Sequence, residues 1–140
     1  MADVIYNSFK QDVMNGGIDL DTDTVKVALV TSSYTPDQDA HDNFDDITNE
    51  VTGTGYSAGG ATLSNKAVTK DNTNNRGVFD ADDVAWSSST ITARGAVIYK
   101  STGTASTSKL ICYKDFSTDK SSVSDTFTIQ WSADGILYLG

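Results

Sequence analysis

Short apolar runs with a two-residue period, each closed by a cluster of Gly, Asn, Asp, Ser or Thr, recur along this chain and restrict it to folds built from antiparallel strands. The clearest run is "VKVALVTSS" (25–33), which puts Val25, Val27 and Leu29 on one face and Ala28 and Val30 on the other, and is expected to be central in a sheet. "ATLSNKAVT", "RGVFDADDVAWS", "TITARGAVIYK", "KLICYKDF", "TFTIQW" and "DGILYLG" follow. Turn signals fall at "KDNTNN" (70–75), "WSSST" (86–90) and "STGTASTS" (101–108). This spacing predicts a mainly β fold, an antiparallel β-sandwich or jelly-roll-like domain, rather than alternating βα units. "ADG" (133–135) between two apolar runs reads as a tight hairpin. The terminal "ILYLG", apolar on both faces, is expected inside a sheet or an interface.

Composition points the same way. Eighteen Asp stand against one Glu, Glu50, and thirty-four residues are Ser or Thr. Asp, Ser, Thr and Asn bond to nearby backbone and favour turns, whereas the scarce Glu, Gln, Leu and Lys are helix formers. One short helix is still expected near the N-terminus. Ile5, Phe9 and Val13 recur every four residues, with Tyr6 beside them, until Asn15, Gly16 and Gly17 stop the run. Residues 1–20 therefore read either as a helical docking arm or as a helix covering the end of its own sheet. A second helical turn is expected around Phe44 and Ile47. At 140 residues, without internal repeat or linker, residues 1–140 read as one domain.

A net charge of −9, with only Arg76 and Arg94 as arginines, disfavours nucleic-acid binding, because there is no excess of cations to displace phosphate counterions. Cys112 has no partner for an intrachain disulfide, and no Cys or His pair stands at metal-ligand spacing. The opening "MADVIYNSFKQDVMNGG" lacks the basic start and apolar run of a leader, and no later run is long enough to span a membrane. These features predict folding in a cytosol, with no membrane partner.

Five features are candidates for chemistry. In "GTGYSAGGAT" (53–62), Gly55 and Gly60 have the spacing of a phosphate loop, but Ala61 stands where a lysine is needed. Gly53, Gly55 and Ala58 fit a dinucleotide fingerprint only weakly, and β structure rather than a helix follows. A tightly turning loop is the expected reading. "DLDTDT" (19–24) begins like a calcium loop but has Thr24 and Val30 where glycine and glutamate belong. Its acids, like those at 37–46 and in "DADD" (80–83), read as solvated loop residues. No metal or other cofactor is predicted. His41, the only histidine, lies among acids without a nucleophile motif. Cys112, placed on the face of Leu110, reads as a buried or interfacial thiol. Arg94 interrupts an apolar strand and must reach water, an internal carboxylate or a partner chain.

Together, "VKVALVTSSYTP", "GTGYSAGGATL", "TITARGAVIYK" and "FTIQWSADGILYLG" make the chain from about Val25 to Gly140 resemble small virion proteins of tailed bacteriophages. The resemblance implies a non-enzymatic structural protein, a capsid decoration or cement subunit. Such a subunit is made in the host cytoplasm and added to the capsid surface. Its partners would be the major capsid protein and copies of itself, commonly as a homotrimer at a local threefold point. Ile5, Tyr6, Phe9, Ile136, Leu137, Tyr138 and Leu139, with Arg94, are the expected subunit or capsid contacts. One rival reading is a tail or fibre component whose loops 53–60 and 101–108, flanked by Tyr34 and Tyr56, bind a host surface glycan. Another is a small hydrolase working through His41 and a nearby Asp.

Overall fold

The computed structural model describes residues 2–140. The fold is mainly β, 47% strand against 10% helix, with antiparallel sheets and one short helix near the N-terminus, consistent with a β-sandwich. In chain order the elements are β1 (Val4–Ile5), α1 (Asn7–Met14), β2 (Val25–Val30), β3 (Ala61–Thr62), β4 (Ala67–Asp71), β5 (Arg76–Asp80), β6 (Val84–Lys100), β7 (Leu110–Ile129) and β8 (Leu137–Leu139). Single 3-10 turns lie at Phe44–Asp46, as the sequence suggests, and at Ala105–Thr107. A five-stranded sheet has the order β1-β7-β6-β2-β3, and a three-stranded sheet the order β4-β5-β8.

The alternation in β2 works as read. Val25, Val27 and Leu29 enter the main core with Phe79 of β5 and Leu137 of β8, so this core joins both sheets. Ala28 and Val30 enter a second cluster with Tyr6, Tyr34, Val97, Tyr99 and Tyr113, against which Phe44 and Ile47 pack. The five-stranded sheet is thus covered on both faces, which explains why β2 is apolar on both.

Three sequence expectations are corrected. "WSSST" is not a turn between strands but lies inside β6, where the register shifts between Trp86 and Ser89 and again before Ile91. Ser88 takes φ +50°, and the buried Ser89 hydroxyl lies 2.7 Å from Ser122 Oγ and 2.9 Å from the Asp125 carbonyl. A bulge absorbs an extra residue and bends the strand without ending it. The 17-residue β6 and 20-residue β7 therefore form one long bent hairpin. Secondly, Leu110 and Cys112 fall on opposite faces. Ile98 pairs with Cys112 but Tyr99 with Leu110, so Ile111 is an extra residue that flips the alternation. Thirdly, "ADG" turns the chain, with Gly135 at φ +88°, yet does not pair the runs on either side of it. β8 leaves β7 and pairs with β5.

The N-terminal helix is also shorter than its apolar period. Ile5 lies in β1, opposite Cys112, and Tyr6 is extended at the helix N-cap. Edge pairing with β7 holds these residues out of the helix. Phe9, fully buried, anchors α1 to the main core, and Asp12 holds Lys109 at 3.0 Å.

Candidate functional site

The glycine stretch forms a loop clamped to its own sheet. Gly60 has φ +78°, and a Cβ there would run into the Val27 carbonyl, so only glycine lets the loop backbone lie this close to β2. The Gly59 amide, which a phosphate site would offer to its ligand, instead donates a 2.7 Å hydrogen bond to Glu50 Oε2. The same oxygen accepts the Tyr56 hydroxyl at 2.6 Å, and the Tyr99 hydroxyl donates to the Gly59 carbonyl at 2.6 Å. The chain's one glutamate is therefore the anion that this loop binds. Burial, reinforced by Glu50, pushes the Tyr56 phenol well above its ordinary range, and burial lifts Tyr99 to about 12.

This clamp brings loop 53–60 against loop 101–108. Between them lies a cavity of about 290 Å³ lined by Lys26, Phe44, Glu50, Gly59, Tyr99 and residues of the second loop. Phe44 stacks on Tyr99 with ring centroids 4.2 Å apart. Neither aromatic residue that the sequence placed beside these loops lines the cavity. Tyr34 is 1% exposed, and Tyr56 points its hydroxyl at Glu50 and the Leu29 amide. Phe44 and Tyr99 were missed because only the folded 31–50 segment carries Phe44 over the sheet.

A second concave surface joins the two ends of the chain. A cleft of about 360 Å³ is lined by Asp3, Ile5, Lys114, Ile136, Leu137 and Tyr138, among others. Four expected contact residues from opposite ends of the sequence thus meet: Ile5, Ile136, Leu137 and Tyr138. Tyr6, Phe9, Ile136 and Leu137 are nevertheless at most 5% exposed, buried in this chain's own core. The apolar surface offered in the cleft is that of Tyr138, 50% exposed, with Ile5 half-buried, and Leu139, 40% exposed, follows it in β8 outside the cleft lining. Arg76 lies 4.3 Å over the Tyr138 ring and is itself held by Asp71 and Asp134. Arg94, the remaining expected contact, pairs with Asp119 at 2.9 Å across the hairpin.

Comparison with known protein families, with curated proteins and with solved structures finds no match to this chain.

The remaining sequence candidates occupy defined places. His41 Nδ1 accepts the Asp37 amide at 3.2 Å and lies 2.9 Å from the Tyr34 hydroxyl, which in turn meets the buried Tyr6 hydroxyl at 2.8 Å. Burial lifts the Tyr34 phenol to about 12 and Tyr6 further. Asp19 bonds to the amides of Asp21 and Thr22, and its carboxyl is held below the usual range, first by the Thr22 side chain. Asp46 is lowered by the amides of Asp42 and Asn43. Among the described residues no three His, Cys, Asp or Glu side chains are grouped to hold a metal ion. Cys112 is buried, which pushes its thiol up to about 12. No helix among the described residues is long and apolar enough to cross a membrane.

Proposed function

We propose that this chain is a non-enzymatic structural protein of a tailed-bacteriophage virion, a decoration or cement subunit that stabilises the head lattice. It would be made in the host cytoplasm, assemble as a homotrimer and bind the major capsid protein on the capsid surface. The resemblance of four segments supports this reading. The observation that carries it furthest is the edge of β8, which among the described residues pairs only with β5, and where Tyr138 and Leu139 stand half-exposed, Tyr138 lining the cleft with Ile5. An unpaired strand edge with apolar side chains is a ready docking element for another chain. A subunit that binds the assembled lattice, and not its separated parts, stabilises it by mass action, and a ring of copies multiplies each weak contact.

Co-sedimentation with heads stripped of the protein, with solution mass from light scattering, tests this. Saturable head binding by a compact oligomer is expected. Absence of head binding sinks the reading. Attachment to tails or host cells instead would favour the second reading, a tail or fibre component binding a host glycan. One observation speaks for that alternative: the two loops named for it line a single cavity.

A further inference from the structure

The cavity between loops 53–60 and 101–108 holds one ionic group of each sign with bonding capacity left over. Lys26 is half-buried in β2 and, among the described residues, its ammonium has no ion pair or hydrogen bond, although the chain carries a net charge of −9. On Glu50, Oε2 is saturated by Tyr56 and Gly59, while Oε1 has no hydrogen bond among the described residues. Phe44, backed by Tyr99, and Ala105 supply apolar wall.

We propose that this cavity binds one neutral hexopyranose unit. Each sugar hydroxyl is both donor and acceptor, so a pair of adjacent hydroxyls can accept from the Lys26 ammonium and donate to Glu50 Oε1. An anionic ligand would meet Glu50 and a cationic one Lys26, each unfavourably. The C–H face of a pyranose packs on an aromatic ring such as Phe44. A volume of about 290 Å³ lies at the small end of ligand sites and suits one sugar ring rather than a long oligosaccharide. The proposal does not rest on the capsid reading, because the cavity and the β8 edge are lined by different residues and either a head or a tail protein can carry both.

The test is a titration of the intact protein with glucose, galactose and mannose, and with glucuronate and glucosamine as charged counterparts, followed by amide chemical shifts. At least one neutral hexose is expected to saturate with about millimolar affinity, typical of so few polar contacts, moving Gly59 and residues 101–108. Lys26→Met keeps the alkyl stem and is expected to weaken that binding about tenfold, the scale of one charge-assisted hydrogen bond. Phe44→Ala is expected to weaken it as well, and unchanged thermal melting of Lys26→Met separates lost binding from lost fold. Inhibition of host-envelope attachment by the binding hexose would identify a surface glycan as the source, and binding without such inhibition a free sugar. No saturation by any of the three hexoses overturns the proposal. So does tighter binding of glucuronate or glucosamine, or binding that Lys26→Met leaves intact. Head co-sedimentation reads the other surface, so failure here leaves that result standing.

Discussion

The Tyr56 hydroxyl donates a 2.6 Å hydrogen bond to Glu50 and accepts one of 2.9 Å from the Leu29 amide, tying the glycine loop to the strand beneath it. Glu50→Ala removes the acceptor from both Tyr56 and Gly59. With a hydrogen bond to a charged group worth about 1.5–3 kcal/mol, a loss of about 3 kcal/mol is expected. Tyr56→Phe leaves the Leu29 amide without its acceptor and should cost about 1–3 kcal/mol. Urea midpoints read both, and unchanged midpoints would show that the clamp does not hold the loop.

Two glycines of similar backbone angle separate strain from collision. Gly60 and Gly103 have φ +78° and +87°, but a Cβ at Gly103 meets nothing within 4 Å, whereas at Gly60 it meets the Val27 backbone. Gly103→Ala is expected to cost about 1–2 kcal/mol, the left-handed penalty alone. Gly60→Ala should cost clearly more or prevent folding. Equal losses in denaturant titrations would refute the close approach.

Stability is expected to fall in alkali. A phenol in the unfolded chain ionises near 10, while burial raises Tyr34 and Tyr99 to about 12 and Tyr6 and Tyr56 further. Between those values the unfolded chain has lost protons that the folded chain keeps. The stabilisation is therefore complete below pH 10 and is lost as pH rises toward the folded values. Each such tyrosine removes about 1.4 kcal/mol per pH unit in that window. Urea midpoints from about pH 9 to about pH 12, with tyrosinate absorbance, check this. A flat profile contradicts it.

Cys112 should be inert to a disulfide-exchange reagent in the native protein and react once denatured, since the thiolate is both buried and disfavoured. Fast stoichiometric labelling of the native form would contradict its placement.

At the C-terminal edge, neighbouring substitutions should separate folding from docking. Leu137→Asp puts a charge into the core and is expected to unfold the chain. Tyr138→Asp and Leu139→Lys fall on exposed side chains and should leave urea midpoints within about 1 kcal/mol while weakening head binding. Head binding that both substitutions leave intact would remove this edge from the proposed interface.

The sequence by itself determined the mainly β class, the turn at 70–75 and the facing of β2, because two-residue alternation and turn chemistry are local, whereas "KLICYKDF" and "TFTIQW" join in one strand, β7, and "ATLSNKAVT" divides between β3 and β4 in different sheets. It also exposed the glycine loop's mismatch with phosphate motifs. Local patterning could not show that Ser87–Ser89 form a bulge rather than a turn, since the same small residues serve both. Nor could it show that Ile111 reverses the alternation, separating Leu110 from Cys112. Tertiary structure alone decided what the charged and aromatic residues meet: Glu50 as the loop's anion, Phe44 over Tyr99, Arg94 on Asp119, and Tyr138 lining one cleft with Ile5. These meetings depend on how two sheets stack and where a long hairpin bends. Both are set by packing among residues distant in the chain, for which no local period carries a signal.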